Sequence, residues 1–290
     1  MKNYDELTFA DNFMFCKILE ENEDLCKEMT ELILGRKIGN LVKDPVTEKA
    51  IKLTPDGHGI RFDVYFEDDN KRIYDIEMQT SKKSELPKRS RYYQGMLDLN
   101  YLKSGKRYKD LPDSYIIFLC TFDCFNRGYH KYSFDPTCKE DNSIKLDDGT
   151  NRIFICAGGD KNDVSPELAS FIDYLTGVVS DNSLVQDLDS KVREAREDKR
   201  WRAEYMTFQD MLYDEYDRGV DEGELKLLVK QVLKNKQKNR DVAEIADALD
   251  TTEDTVREIL EVAENYAPEY DVDKIVEAIL EKRENEESDT

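Results

Sequence analysis

Apolar residues recur at three- and four-residue intervals from Phe9 through Phe13, Ile18, Leu19, Leu25 and Met29 to Leu32 and Ile33. That is the spacing of one face of an amphipathic helix, and it predicts a helix over 8–34, capped by Thr8 and closed by Gly35. Short extended pieces are expected at 37–43 and 48–53. The pattern then changes from helical period to alternation. RFDVYF and IYDIEMQT, separated by the polar EDDNKR, predict a β-hairpin. Beyond it, 84–104 reads as a helix carrying Tyr93, Met96, Leu97, Tyr101 and Leu102 and stopping near Gly105. SYIIFLCTF (114–122) is the continuous apolar run of a strand buried on both faces. Further strands are expected at 129–134 and 152–157, and a helix at 166–178.

From 181 onward only helical spacing remains. A long charged stretch over 184–219 carries Trp201, Tyr205, Phe208, Met211 and Leu212, and Gly219 and Gly223 are expected to interrupt it before ELKLLVKQVLKNK. Residues 240–265 read as a helix, a short turn and a second helix capped by Thr251 or Thr252, a spacing similar to a helix-turn-helix. A last helix is expected over 271–284. Two domains follow from this change of texture: an α/β domain over 1–180 and an acidic, all-helical extension over 181–290.

Composition sharpens that division. Of the 290 residues 39% are hydrophobic, enough for a substantial core, and 37% are charged, well above the roughly 25% usual in globular chains. The 64 acids against 43 Lys and Arg set the net charge at −21. Taken alone, that value argues against a nucleic-acid partner. The excess is segregated, however: 181–290 carries −15 and 1–180 only −6. Within the first part, 82–109 holds nine bases against Glu85 and Asp98, a local +7. No apolar run approaches the roughly 18 residues of a membrane-spanning helix. MKNYDELTF does not read as a signal peptide, so a soluble, cytoplasmic protein without membrane contacts is expected. The six cysteines include no CxxC pair and the histidines are His58 and His130 alone, so neither a disulfide framework nor a structural zinc site is expected. Cys16, Cys120 and Cys156 lie in apolar runs and read as small buried hydrophobes.

The hairpin carries the candidate chemistry. Alternation puts Phe62, Val64 and Phe66 on one face and Arg61, Asp63 and Tyr65 on the other, while Ile73, Asp75, Glu77 and Gln79 share one face of the second strand. Two registers bring the acids together. One sets Asp63 opposite Glu77; the other sets it opposite Asp75 with Glu77 a diagonal away. Both require an odd number of loop residues. Carboxylates gathered on one half-buried face repel one another, and a hard divalent cation is the partner that relieves this. The competing reading is a solvated outer face on which Arg61 and Lys71 or Arg72 neutralise the acids.

RFDVYF, IYDIEMQT, LPKRSRYYQGMLD and YLKSGKRYKDLPDSYIIFLCTFDCF, with LTFADNFMFCKIL ahead of them, resemble the PD-(D/E)XK nuclease family of transposase-like proteins, the recombination-promoting nuclease group. The likeness runs over about 7–160. It implies a restriction-endonuclease-like core, a mixed sheet flanked by helices, and Mg²⁺-dependent cleavage of DNA, with Mn²⁺ able to substitute. It also implies site residues: Asp63 and Glu77 as catalytic metal ligands, Asp11 on the first helix completing the metal shell, and Gln79 where the wider superfamily has lysine. Gln is common in this branch; an amide can orient a water but brings no charge to a developing anion. Lys82, Lys83, Lys88, Arg89, Arg91, Lys106 and Arg107 would then follow the DNA backbone, with Tyr93 and Gln94 orienting site or substrate. A homodimer is expected of an enzyme making double-strand breaks, and no small-molecule cofactor is expected. The alternative is a nuclease fold with little or no catalysis, acting as a DNA-binding or protein-interaction module. The acidic face of 253–265 argues for packing or protein contact over groove reading there.

Overall fold

The computed structural model describes residues 2–42, 45–51, 60–82, 85–102 and 104–288. The helix expected over 8–34 is two: α1 (Asn12–Glu21) and α2 (Glu23–Leu34). The break is Asn22, whose backbone leaves the helical region (φ −132°, ψ 76°) while its side-chain amide donates to the Ile18 carbonyl at 2.7 Å. A short amide that competes for helix carbonyls interrupts a helix in this way. Gly35 closes α2 in the left-handed region at φ 69°.

Six strands form one sheet among the described residues: β1 (Val46–Ile51), β2 (Ile60–Glu67), β3 (Ile73–Gln79), β4 (Ser114–Cys120), β5 (Lys131–Phe134) and β6 (Thr150–Cys156), in the spatial order β1-β2-β3-β4-β6-β5. β1, β2 and β3 are antiparallel neighbours, β3, β4 and β6 are parallel, and β5 is antiparallel to β6. The parallel step from β3 to β4 needs a crossover, and α3 (Leu86–Tyr101) supplies it. Every residue of β3 is buried, as the centre of a sheet covered on both faces requires. On the α3 side Phe118 stacks on Phe154 with ring centroids 5.3 Å apart, and Tyr93 of α3 meets Phe62 edge-on at 5.4 Å. α4 (Pro166–Tyr174) is tied to the N-terminal segment by Phe9, which packs against Phe171 and Tyr174. This is a mixed sheet flanked by helices, followed by a helical C-terminal part.

The chain divides into two compact units, Met1–Tyr205 and Met206–Thr290. The change of texture in the sequence lies earlier, at 181. In between, α5 (Ser183–Glu197) buries Leu184, Val185, Leu188 and Val192, accepts the Tyr4 hydroxyl at its Ala195 carbonyl (2.6 Å), and sends Arg196 to the Leu7 carbonyl. Those are contacts of the first unit. The next helix, α6 (Lys199–Lys236), runs without interruption through Gly219 and Gly223, contrary to expectation. Each glycine costs a helix about 1 kcal/mol relative to alanine, and good helix formers on both sides carry the helix across them. The break falls instead at Asp198, whose carboxylate accepts the Arg200 N–H at 2.7 Å and caps the new helix.

In the second unit the latter part of α6 joins α7 (Val242–Leu249), α8 (Glu253–Glu264) and α9 (Val272–Ser288) around Val229, Val232, Ile245, Val256, Ile259 and Ile275. α7 and α8 are the helix pair expected over 240–265, with Asp250 turning between them at φ 51° and Thr252 capping α8. The apolar face of α8 is consumed by this core. Its Arg257 is paired with Glu253 and Asp254 of the same helix. Among the described residues no helix is long and apolar enough to cross a membrane.

Candidate active site

The hairpin is built from its turn outward. Asp68 organises 68–72: its carboxylate accepts the backbone N–H groups of Asn70 (3.0 Å), Arg72 (2.9 Å) and Gly39 (3.1 Å) and the Tyr74 hydroxyl (3.0 Å). Lys71 takes the positive φ, 61°, that closes the loop. This turn has an odd number of residues and sets the register Glu67↔Ile73, Phe66↔Tyr74, Tyr65↔Asp75, Val64↔Ile76. Of the two registers the sequence allowed, it is the one that carries Asp63 to Glu77.

Beyond Val64 side chains take over from the backbone ladder. The Asp63 N–H donates to Glu77 Oε1 at 3.1 Å, and the Met78 N–H donates to Asp63 Oδ2 at 3.0 Å. The alternation of β2 also changes phase here. Phe62 and Tyr65, three residues apart, share the core on the α3 side and stack at 5.9 Å, which corrects the expectation that Phe62 goes with Val64. With its N–H turned to a carboxylate, the backbone at Asp63 is free to depart from the regular pleat.

Two elements supply the remaining contacts. From α1, Asn12 Nδ2 donates to Asp63 Oδ1 at 3.0 Å, and the Cys16 thiol donates to the Asp63 carbonyl at 3.4 Å. From α3, Arg89 reaches three groups: Nη2 pairs with Glu77 Oε2, Nη1 donates to Gln79 Oε1 at 2.9 Å and Nε to the Tyr93 hydroxyl at 2.9 Å. Its guanidinium lies over the rings of Tyr93 (5.1 Å) and Phe118 (5.4 Å). The other end of the Gln79 amide donates to the Ser81 carbonyl at 2.8 Å.

Electrostatically the site is crowded. Glu77 and Asp75 are fully buried, and neither Asp75 oxygen has a hydrogen-bond partner among the described residues. Burial, and then the charge of Asp63, push the Glu77 carboxyl up to about 8. Burial also raises Asp63, and together with the charges of Glu77 and Asp63 it holds Asp75 well above the usual carboxylate range. Asp75 does not close with Asp63 and Glu77 into one group of ligand atoms, but that pair offers carboxylate oxygens, the donors a hard divalent cation prefers. Asp63 and Glu77 are the residues that would hold it.

The other expected site residues fall as follows. The Asp11 carboxylate accepts the Thr8 N–H (2.7 Å) and hydroxyl and pairs with Lys2 (2.8 Å), so the side chain of α1 that meets Asp63 is that of Asn12. Tyr93 touches the set through Arg89. Gln94 is engaged elsewhere, with Asp98 (2.9 Å) and the Ser114 hydroxyl (3.0 Å). Lys83 lies outside the described residues. Lys82 is exposed with its ammonium 5.9 Å from the Phe122 ring, and Lys88 and Arg91 are exposed on α3. Lys106 lines a cleft with Lys71, Arg72 and Lys109 beside the turn of the hairpin. That is the opposite end of β3 from Gln79, some 20 Å along the strand, so the basic island divides into two patches. Arg107 is exposed and pairs with Asp110 at 3.7 Å.

Sequence reasoning missed Asn12 and the central place of Arg89. The four-residue step from Arg89 to Tyr93 was a signal for the latter; for Asn12, only the helical phase relative to Asp11 separates the two. Residues 10–155 match the family model described as PD-(D/E)XK nuclease family transposase. Among curated proteins and among solved structures, none matches the chain significantly.

Proposed function

This chain belongs to the PD-(D/E)XK nuclease family of transposases, and from that premise we propose that it is a Mg²⁺-dependent DNA endonuclease of the recombination-promoting type, with Asp63 and Glu77 as metal ligands. The observation that carries the proposal is the reciprocal pairing of a buried and a half-buried carboxylate across β2 and β3, each accepting a backbone N–H of the opposite strand. Sheet packing offers no reward for it. A divalent cation bound there supplies Lewis-acid polarisation of the phosphodiester and a more acidic coordinated water.

The chain's own residues do the positioning. Asn12 and the Met78 N–H hold the two oxygens of Asp63, and the Asp63 N–H and Arg89 hold those of Glu77. The positive charge that Gln79 lacks stands beside it on Arg89. In this reading Gln79 fixes the guanidinium and orients water, while Arg89 stabilises charge developing on the phosphate. Lys88 and Arg91, exposed on the same helix, would hold the DNA backbone.

The test is cleavage of supercoiled plasmid by the purified protein with Mg²⁺ or Mn²⁺, compared with Asp63→Ala and Glu77→Ala. Cleavage undiminished in both variants would overturn the assignment.

One observation favours a second reading, a nuclease fold that binds DNA without cutting it: both ends of the Gln79 amide are engaged, and Arg89 occupies an oxygen of Glu77 that a metal would need. Calorimetry decides between them. Heats of Mn²⁺ binding lost in Glu77→Ala support the enzyme; salt-dependent DNA binding without metal binding supports the module.

A further inference from the structure

Three cysteines, Cys120 and Cys124 four residues apart and Cys156 another 32 along the chain, meet at one end of the sheet. Cys120 and Cys156 are the last residues of β4 and β6 and are register partners in the parallel ladder. Cys124 comes from the loop that follows β4, and its Sγ lies 3.4 Å from that of Cys156. All three sulfurs lie within 4.8 Å of one another, the one such grouping of His, Cys, Asp or Glu ligand atoms among the described residues. Tetrahedral or trigonal thiolate coordination with metal–sulfur bonds of about 2.3 Å needs sulfurs about 4 Å apart, so this spacing requires little movement.

The scaffold holds that geometry. Cys120 and Cys156 are completely buried and pinned by strand pairing, while Cys124 is partly exposed. The loop carrying Cys124 is braced by Asp123, whose carboxylate accepts the N–H groups of Phe125 (3.0 Å), Arg127 (2.7 Å) and Gly128 (2.8 Å) and the Tyr132 hydroxyl (2.8 Å). Those bonds occupy Asp123 itself, and among the described residues no fourth His, Cys, Asp or Glu joins the group, so the donor set is three sulfurs with Cys124 on the partly exposed side. Soft sulfur ligands select closed-shell thiophilic ions.

We propose that Cys120, Cys124 and Cys156 bind a single closed-shell thiophilic cation, Zn²⁺ or Cu⁺, which ties the loop after β4 to the ends of β4 and β6. Three thiolates complete the shell of Cu⁺; Zn²⁺ adds a solvent ligand at the open position. Binding displaces the thiol protons to solvent. Gln79 is the register neighbour of Cys120 on β3, so the site stands one strand from the acid pair yet shares no residue with it. Cys120 and Cys124 stand at C-x₃-C spacing in the sequence, and it is Cys156 that no spacing ties to them.

The experiment uses full-length protein, reduced and stripped of metal. Titration with Co²⁺, as the spectroscopic stand-in for Zn²⁺, is expected to give thiolate-to-cobalt charge-transfer absorption that a single equivalent of Zn²⁺ abolishes. An anaerobic titration with Cu⁺ against a chromophoric chelator forms the second arm. Signal in the first arm identifies Zn²⁺ as the ion, and signal in the second alone identifies Cu⁺. Cys124→Ser, at the partly exposed position, should weaken binding more than about tenfold with unchanged circular dichroism; Cys138→Ser and Asp63→Asn should leave the thiolate signal intact. Because only sulfur ligation produces that signal, it is independent of whether the acid pair binds Mg²⁺. No thiolate-to-cobalt absorption in the first arm together with no withdrawal of Cu⁺ from the chelator in the second, or binding undiminished in Cys124→Ser, overturns the proposal.

Discussion

Asp63 and Glu77 hold each other by the backbone: the Asp63 N–H donates to Glu77 Oε1 at 3.1 Å, and the N–H that follows Glu77 in the chain, that of Met78, donates to Asp63 Oδ2 at 3.0 Å. Neither carboxylate can rotate freely, so the pair is preorganised. Conservative removal of either charge, Asp63→Asn or Glu77→Gln, is expected to lower plasmid cleavage by about 10²–10³-fold while leaving the fold intact, as loss of a preorganised charge-stabilising group does. Single-turnover cleavage with circular dichroism in parallel measures both.

The same crowding predicts an inverted pH profile of stability for the metal-free protein. The Glu77 carboxyl is raised from its ordinary 4.5 to about 8, so between those values the folded state carries a proton that the unfolded state has released. Stability therefore falls as pH rises through this window and levels off above it, with a slope of up to about 1.4 kcal/mol per pH unit for one proton. Urea denaturation at a series of pH values between 5 and 9 should give this fall, a shallower one in Glu77→Gln, and a reversal with saturating Mg²⁺. Stability rising with pH in the metal-free wild type would contradict the burial argument.

Arg89 is the cation of the acid set. Arg89→Met leaves Glu77 buried without its counter-charge, which costs about 3–5 kcal/mol where Glu77 is ionised and less where Glu77 takes up a proton, which the loss of Arg89 itself favours. Arg89→Lys keeps the charge but cannot serve Glu77, Gln79 and Tyr93 at once, so it is expected to fold and to cleave poorly. Denaturation midpoints at pH 6 and pH 9, with cleavage rates, separate the two effects.

Lys88 and Arg91 are exposed on α3 beside the site, while Lys106 lies at the far end of β3. Reversing both α3 charges, Lys88→Glu with Arg91→Glu, should weaken DNA binding uniformly across sequences and lower the slope of log K against log salt by nearly two, about 0.9 for each phosphate contact. Lys106→Glu should do less. Fluorescence anisotropy over a salt series reads both outcomes.

The helix after residue 181 belongs to the first unit's core, since Leu188 of α5 is completely buried. Leu188→Ala is expected to cost about 2–5 kcal/mol. A chain cut after residue 180 should fail to fold cooperatively, as thermal melts followed by circular dichroism would record.

Much of this was legible in the residues. The alternation around EDDNKR, the unbroken run SYIIFLCTF and the periodic apolar stripe of 84–104 are local signals, and β2, β3, β4 and α3 stand where they placed them. The local signals failed where a single side chain outweighed a pattern. Asn22 divides α1 from α2, and Asp198 divides α5 from α6, each by bonding backbone groups that the helix would otherwise use or leave unpaired. Gly219 and Gly223 failed to break a helix because propensity is a small term beside a long run of favourable neighbours.

The sequence by itself determined the elements and put Asp63, Asp75 and Glu77 on strands able to share a face, because a strand's period of two is written in consecutive residues. Tertiary structure decided which partners those acids have. The turn at Asp68 selected the register; Asn12, 51 positions before Asp63, and Arg89, 12 after Glu77, arrive on helices whose rotation and docking no spacing encodes. The same holds for Cys120, Cys124 and Cys156, the last of them 32 positions beyond Cys124. Cys120 and Cys156 are neighbours because parallel strands align residues by register, which the packing of the whole sheet sets, and the loop after β4 folds Cys124 back onto them.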